Sequence, residues 1–386
     1  MFVPVKYNIR NLTVRRTSTL LTIFGIGVSV AVFVSVMALV EGIRQTFIAT
    51  GEPLNVLAIR QGAQSETGSL IEPPSALVVR TIDGVARDAK GDPLVSLERV
   101  VYVSHERNDG GVSNIVIRGL DETGRALRPA TKLAAGRWYV PGRRELTISR
   151  GIASRFRNCN IGDELVTGRA HWTVVGLYDA GRTAYASELW TGPEDLTAAF
   201  QRQSYSVVFA RATDAASMKR VIDRMTNDPQ MRFDARPERA YYAEQTKSST
   251  PVRILGNVIA IIMAVGSAFA AMNTMYAAVA SRGREVAVLR ALGFSRPSIA
   301  LSFVTEAVLL AIGGGIVGGI GVLPLNGLAT GTTNWFTFSE MTFHFAVTPM
   351  LFARGVAFAA VMGLVGGILP ALRASRMSPA TAMRAL

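Results

Sequence analysis

Four stretches of this chain hold no Asp, Glu, Lys or Arg: Thr17–Val40 with 24 residues, Ile254–Ser281 with 28, Ala307–Ser339 with 33 and Gly355–Leu372 with 18. About 20 apolar residues cross the roughly 30 Å hydrocarbon core of a bilayer as a helix, with a working range of about 17 to 25. Each stretch is long enough to span, and a soluble cytosolic enzyme is excluded. The first follows Lys6, Arg10, Arg15 and Arg16, a flank also found on secretory leaders, and Val36-Met37-Ala38 offers a small-residue cleavage site. Its apolar run nevertheless exceeds the roughly 7 to 15 residues of a leader, and three more spans follow, so an uncleaved membrane helix is expected.

Orientation follows from the short segments, because Lys and Arg near span ends are retained in the cytoplasm whereas long domains cross largely regardless of charge. Residues 1–16 hold four basic groups and no acid; residues 282–296 hold Arg282, Arg284, Arg290 and Arg296 against Glu285; residues 373–386 hold Arg373, Arg376 and Arg384 against none. The expected map has a cytoplasmic N-terminus at 1–16, spans at 17–40, 254–281, 297–326 and 349–372, and a large extracytoplasmic domain at 41–253. A cytoplasmic helix at 282–296, a short external loop at 327–348 and a cytoplasmic C-terminus at 373–386 complete it. The fold class is a membrane protein of four helices with a mixed α/β domain inserted between the first two.

The domain at 41–253 carries 29 basic and 25 acidic residues, so most of the net +13 belongs to the cytoplasmic segments and nucleic acid is not needed as a partner. Glu340 is the only charge of the external loop, amid Trp335, Phe336, Phe338, Phe343 and Phe345, an aromatic cluster expected to anchor at the membrane interface. Arg354 can snorkel outward from the start of the fourth span. One cysteine, Cys159, closes no intrachain disulfide, and His105, His171 and His344 fall at no ligand spacing, so neither a metal nor another cofactor is expected.

Period-two patterns rich in Val and Ile place strands at 55–60, 99–104, 113–118, 145–149, 171–178 and 205–211. Gly168-Arg169 reads as the turn of a hairpin between 163–167 and 171–178. Behind an Asp214 cap, Met218, Val221, Ile222 and Met225 recur at helical spacing. At the domain borders Val40, Ile43 and Phe47 continue the apolar face of the first span, and 238–250 leads into the second. Helices running out of the bilayer would tie the domain rigidly to the spans.

Between spans two and three, Val286 to Leu292 is helix-permissive, Gly293 suits a left-handed stop, and Ser295 can cap the next helix with Pro297 in its first turn. By itself this is an amphipathic helix on the cytoplasmic surface, held by anionic lipid. The segment Arg284-Glu285-Val286-Ala287-Val288-Leu289-Arg290-Ala291-Leu292-Gly293 resembles a conserved segment of the FtsX-like/MacB-type permeases of ABC transporters. Similar to the same family are Phe303 to Leu310 with the glycine run after it, and the end Leu369-Pro370-Ala371-Leu372-Arg373-Ala374-Ser375-Arg376 with Ser378-Pro379-Ala380. Gly136-Arg137-Trp138, Glu145 to Ser149, Gly162-Asp163 and Val174-Val175-Gly176 resemble its periplasmic domain. The likeness runs through the whole chain in one order of elements.

This resemblance implies a permease subunit of the bacterial inner membrane, working as a homodimer or paired permease. Arg284, Glu285, Leu289, Arg290, Leu292 and Gly293 would contact a separate ATP-binding subunit, and ATP-driven motion would pass to the periplasmic domain without a continuous channel. The sequence contains no Gly-x4-Gly-Lys-Ser/Thr phosphate cradle, so ATP hydrolysis is expected on that other subunit and not here. The transport would serve efflux or lipid and lipoprotein handling, and a periplasmic membrane-fusion adaptor as partner would favour efflux. The alternative is an FtsX-like signalling subunit that activates a periplasmic hydrolase. A membrane-anchored enzyme is disfavoured, since 41–253 shows no nucleophile and base at motif spacing.

Three intramembrane features remain. Gly313 to Gly318 satisfies the G-x-G-x-x-G dinucleotide pattern, which has meaning only after a strand; in an apolar run Gly314, Gly315, Gly318 and Gly319 read as small residues that let helices approach. Glu306 would cost roughly 2.5 to 3.5 kcal/mol if centred in the bilayer, so it is expected to pair with an arginine of the inner loop. Asn273 is expected to hydrogen-bond between helices.

Overall fold

The computed structural model describes residues 16–246, 250–333 and 340–377. In chain order, α1 (Arg16–Thr50) precedes β1 (Asn55–Arg60), β2 (Val95–Glu106), β3 (Val112–Gly119), β4 (Lys132–Gly136), β5 (Glu145–Ser149), β6 (Glu164–Thr167), β7 (Ala170–Asp179), β8 (Glu188–Thr191) and β9 (Val207–Arg211). There follow α2 (Ala215–Asn227), β10 (Phe233–Pro237), α3 (Glu238–Gln245), α4 (Thr250–Ser281), α5 (Gly283–Ala291), α6 (Arg296–Val322), the strands β11 (Ala329–Thr333) and β12 (Glu340–His344), and α7 (Pro349–Arg376). Lys6, Arg10, Arg15, Trp335, Phe336, Phe338, Ser378-Pro379-Ala380 and Arg384 lie outside the described residues. Two compact units form: Met1–Glu41, Thr250–Leu328 and Phe345–Leu386 make one, Gly42–Ser249 and Ala329–His344 the other.

The first unit holds the apolar helices, and α1, α4, α6 and α7 each contain a stretch long and apolar enough to cross a membrane. Its core packs Ile26, Val30 and Val34 of α1 with Ala271, Ala311, Ala359 and Met362. Helices approach this closely only where side chains are small. A Cβ at Gly314 would lie 2.8 Å from Ile26 Cβ, and Gly318 sits against the Gly27 carbonyl, so this pair faces α1. Cβ atoms at Gly315 and Gly319 would lie 2.9 Å from Ala359 Cβ and 2.5 Å from Phe352 Cε2, so these two face α7. Hydrogen bonds from Thr22 to Thr274 at 3.2 Å and between Ser29 and Ser267 join α1 to α4.

In the second unit a ten-stranded sheet runs β10-β1-β9-β2-β3-β8-β5-β7-β4, with β6 also on β7. β2 joins its halves, since Val95 to Glu98 pair with β9 while Arg99 to Glu106 pair with β3. One core gathers Val56, Val208, Val221 and Phe233 under α2, the other Ile117, Ile148, Trp172 and Leu189. The Asp214 carboxylate accepts from the N–H groups of Ala216 and Ser217, both at 2.9 Å, which starts α2. Gly168, at φ +64, opens the two-residue turn that sets Thr167 opposite Ala170.

Helix α1 continues ten residues past Val40 to Thr50, with Ile43 and Phe47 buried, as their continuation of the apolar face leads one to expect. One expectation needs correction. The 327–348 loop is not simply an aromatic anchor: β11 and β12 form an antiparallel hairpin in the sheet unit, where Phe343 and Glu340 are buried. Phe345 instead packs partly buried on the helical core.

Gly318→Ala should destabilise the helical unit by about 1 to 3 kcal/mol, because the added methyl falls on backbone that cannot yield. Gly321→Ala, with nothing within 4 Å, should leave stability unchanged or slightly raised. Thermal unfolding in detergent compares the two; equal losses would contradict the packing.

Candidate functional site

Helix α5 is nine residues long, and the sequence writes both its end and the start of the helix after it. Gly293, at φ +91, donates to the Arg290 carbonyl at 3.1 Å, and Phe294 N–H donates to the Leu289 carbonyl at 3.1 Å. Together these bonds form a Schellman stop. Ser295 then accepts from Ser298 N–H at 3.4 Å and begins α6, with Pro297 in its first turn.

Val286 and Ala287 are buried, Leu289 and Arg290 half-buried, and Arg284, Glu285, Val288 and Leu292 exposed. Val286 packs with Met275, Val279, Ile299, Phe303 and Ala371, and Leu289 and Phe294 lie against the same cluster. Val286, with Arg290 one turn on, therefore marks the side of α5 that turns toward the membrane helices, although Arg290 is among the residues expected to contact an ATP-binding subunit. Leu289 is drawn in by the contact with Phe294 that accompanies such a stop. The open stripe is Glu285, Val288 and Leu292 at i, i+3 and i+7, with Val288 52% and Leu292 70% exposed. Arg290 Nε is buried with no hydrogen-bond partner among the described residues.

Arg282, one residue before α5, is the group that the motif reading overlooked. Its guanidinium is buried, donates to Glu306 Oε2 at 2.7 Å and to Glu285 Oε2 at 3.0 Å, and stacks over the Phe303 ring at 5.0 Å. The intramembrane carboxylate is thus paired, and the pair ties the start of α5 to α6. The spacing of Arg282 to Glu285 at i, i+3 was the available signal. Asn273 differs from expectation. It is exposed and makes no hydrogen bond among the described residues, because the bond to α1 is made one residue later, by Thr274.

In the sheet unit a second group of charges meets where β2 passes between the cores. Arg118 reaches Glu188 Oε1 at 2.6 Å, Glu66 at 2.7 Å and Glu98 at 2.9 Å, while Arg128 binds Glu98 at 2.7 Å. Burial pushes the Glu66 carboxyl up despite Arg118. Glu188 is held below its ordinary value, since burial is outweighed there by Arg118 and the Trp190 indole N–H. A cavity of about 90 Å³ adjoins the cluster, walled by Phe47, Glu66, Tyr102, Arg118, Tyr241 and Tyr242. Among the described residues no three His, Cys, Asp or Glu side chains are placed to hold a metal. Burial pushes the Cys159 thiol up to about 12, so it is no nucleophile.

Residues 19–228 match the MacB-like periplasmic core domain and residues 257–379 the FtsX-like permease C-terminal domain. The chain belongs to the FtsX-like/MacB-type permease family, and it is a membrane protein with a MacB-like periplasmic core. It is 27% identical over 408 residues to the macrolide export ATP-binding/permease protein MacB of Hyphomonas neptunium, covering 98% of this chain and 60% of that protein. It is 34% identical over 141 residues to the pyoverdine export ATP-binding/permease protein PvdT of Pseudomonas fluorescens, covering 36% and 20% respectively. The crystal structure of the periplasmic region of MacB from Actinobacillus actinomycetemcomitans matches 50% of this chain and 92% of its own, with a TM-score of 0.38 and 10% identity. The chain spans about 60% of the length of the curated relatives that it matches end to end.

Leaving one member of a buried ion pair uncompensated costs about 3 to 5 kcal/mol, whereas replacing both with apolar groups costs little. Arg282→Ala should therefore destabilise the helical unit far more than the double change Arg282→Met with Glu306→Leu. Thermal unfolding in detergent reads the difference, and a double variant as weak as the single one would show that the pair is not the interaction that matters.

Proposed function

We propose that the chain is the permease component of an ATP-driven ABC exporter. The reading rests on one juxtaposition: a MacB-like periplasmic core and an FtsX-like permease segment share a chain whose α5 leaves an apolar stripe open beside a buried ion pair. The names of both relatives, for export of unlike molecules, favour export over activation of a hydrolase. An ATP-binding partner distinct from these 386 residues supplies hydrolysis, as their lack of a phosphate cradle suggests. It docks on Glu285, Val288 and Leu292 from the cytoplasm, and its motion tilts α5 against α4 and α6. The sheet unit lies across the inner membrane in the periplasm, where a membrane-fusion adaptor receives the cargo. Leu20, Leu21, Phe24, Ile262 and Phe269 are exposed on α1 and α4, a surface for lipid or a second permease.

Two experiments test this reading. Reporter fusions at Gly110 and Gly293 should report opposite compartments, and the same compartment for both would refute the topology. Leu292→Glu and Val288→Glu should each reduce recovery of the ATP-binding partner roughly tenfold or more, as loss of a buried apolar contact of 1.5 to 3 kcal/mol does. Arg290→Lys should change it little. Undiminished recovery with both glutamates would end the assignment of α5 as the docking helix.

A further inference from the structure

The segment between α6 and α7 holds an acid that its surroundings cannot tolerate unpaired. Glu340 is 2% exposed at the first position of β12. One carboxylate oxygen binds Arg155, and the other lies 3.3 Å from Arg107 Nη1. Arg155 is itself held, donating through Nε to the Gly151 carbonyl at 2.9 Å and through its other nitrogen to Thr342 Oγ1. Thr342 N–H donates to Ser187 Oγ at 2.6 Å, and Phe343 beside it is 1% exposed. Arginines of the domain carried between the first two membrane helices thus grip a strand carried between the last two.

A buried carboxylate shared by two guanidinium groups tolerates little displacement, since each lost contact leaves charge in a low-dielectric interior. A surface hairpin without such a clamp would slide when its flanking helices move. Continuous helix at α1 and the 238–250 segment would link the sheet domain to the first two spans; the clamp adds the last two.

We propose that Glu340 is a positioning residue that keys the β11–β12 hairpin into the sheet domain, so that displacement of α6 and α7 reaches that domain through the Glu340–Arg155–Arg107 clamp. Its consequence for transport rests on the ATP-driven reading above; the clamp itself does not.

The test compares the full chain with Glu340→Gln, Arg155→Gln and the exchanged pair Glu340→Arg with Arg155→Glu, all in lipid nanodiscs. Amide hydrogen exchange of 340–344 should accelerate roughly a hundredfold in either Gln variant, while exchange in α6 and β7 stays at the wild-type rate. The exchanged pair should recover much of the protection. Wild-type protection in both Gln variants overturns the key, and acceleration throughout the sheet overturns it in favour of general unfolding. A second arm places spin labels at Ile161 and Arg373 in the complex with the ATP-binding partner. An ATP-dependent change in their distance that Glu340→Gln cuts by at least half supports transmission through the key, and an undiminished change overturns it. If the wild-type complex shows no ATP-dependent change, the transporter reading and transmission through the key both fall, while the exchange data still decide whether the key exists.

Discussion

A carboxylate that cannot reach water must find a cation, and the connections between the apolar helices are organised around that constraint. Beyond Glu285 the sequence carries two acids, Glu306 and Glu340, and both are buried. Arg282 takes the first and thereby fixes where α5 leaves α4 against α6. Arg155 and Arg107 take the second and fix the strand between α6 and α7 in the sheet domain. Because breaking such a pair is costly in proportion to its burial, both junctions resist small relative shifts of the segments that they join. The glycines of α6 complement this in the helical unit, presenting one flat side to α1 and another to α7.

Much of the fold was legible because its causes are local. Absence of charge marks the helices, the strands 55–60 and 145–149 coincide with β1 and β5, and the Gly168-Arg169 turn and Asp214 cap sit where their chemistry requires. What escaped were elements without a local signature. β4 is exposed along most of its length and β8 is four residues buried throughout, so neither shows the alternation that announces a strand, while β10 alternates only over Phe233 to Arg236 before Pro237 ends it. The charge clusters escaped for another reason. Arg118 meets Glu188, 70 residues away, and Arg155 meets Glu340, 185 residues away, and only tertiary packing brings each pair together. Charged residues at period two read as outward-facing, yet β2 and β3 face protein on both sides where the two cores abut.

The site in α5 shows the same division. Its end follows from Gly293 and the start of α6 from Ser295, but which side faces a partner depends on tertiary packing. The Schellman contact pulls Leu289 inward and leaves Val288 outside, a rotation of one residue that the motif alone does not specify. Family membership accounts for both halves of the chain. In the proposed function, the open stripe at Glu285, Val288 and Leu292, the Arg282–Glu306 pair and the Glu340 clamp are where a push from the cytoplasm is received and carried outward.

In the proposed mechanism α5 and the β11–β12 strands respond together to nucleotide. Hydrogen exchange of the complex with its ATP-binding partner, with and without a non-hydrolysable ATP analogue, tests that claim most directly. Protection of 283–291 and of 340–344 should change in the same titration, at the same nucleotide concentration. A change confined to 283–291, with 340–344 indifferent to nucleotide, would contradict it.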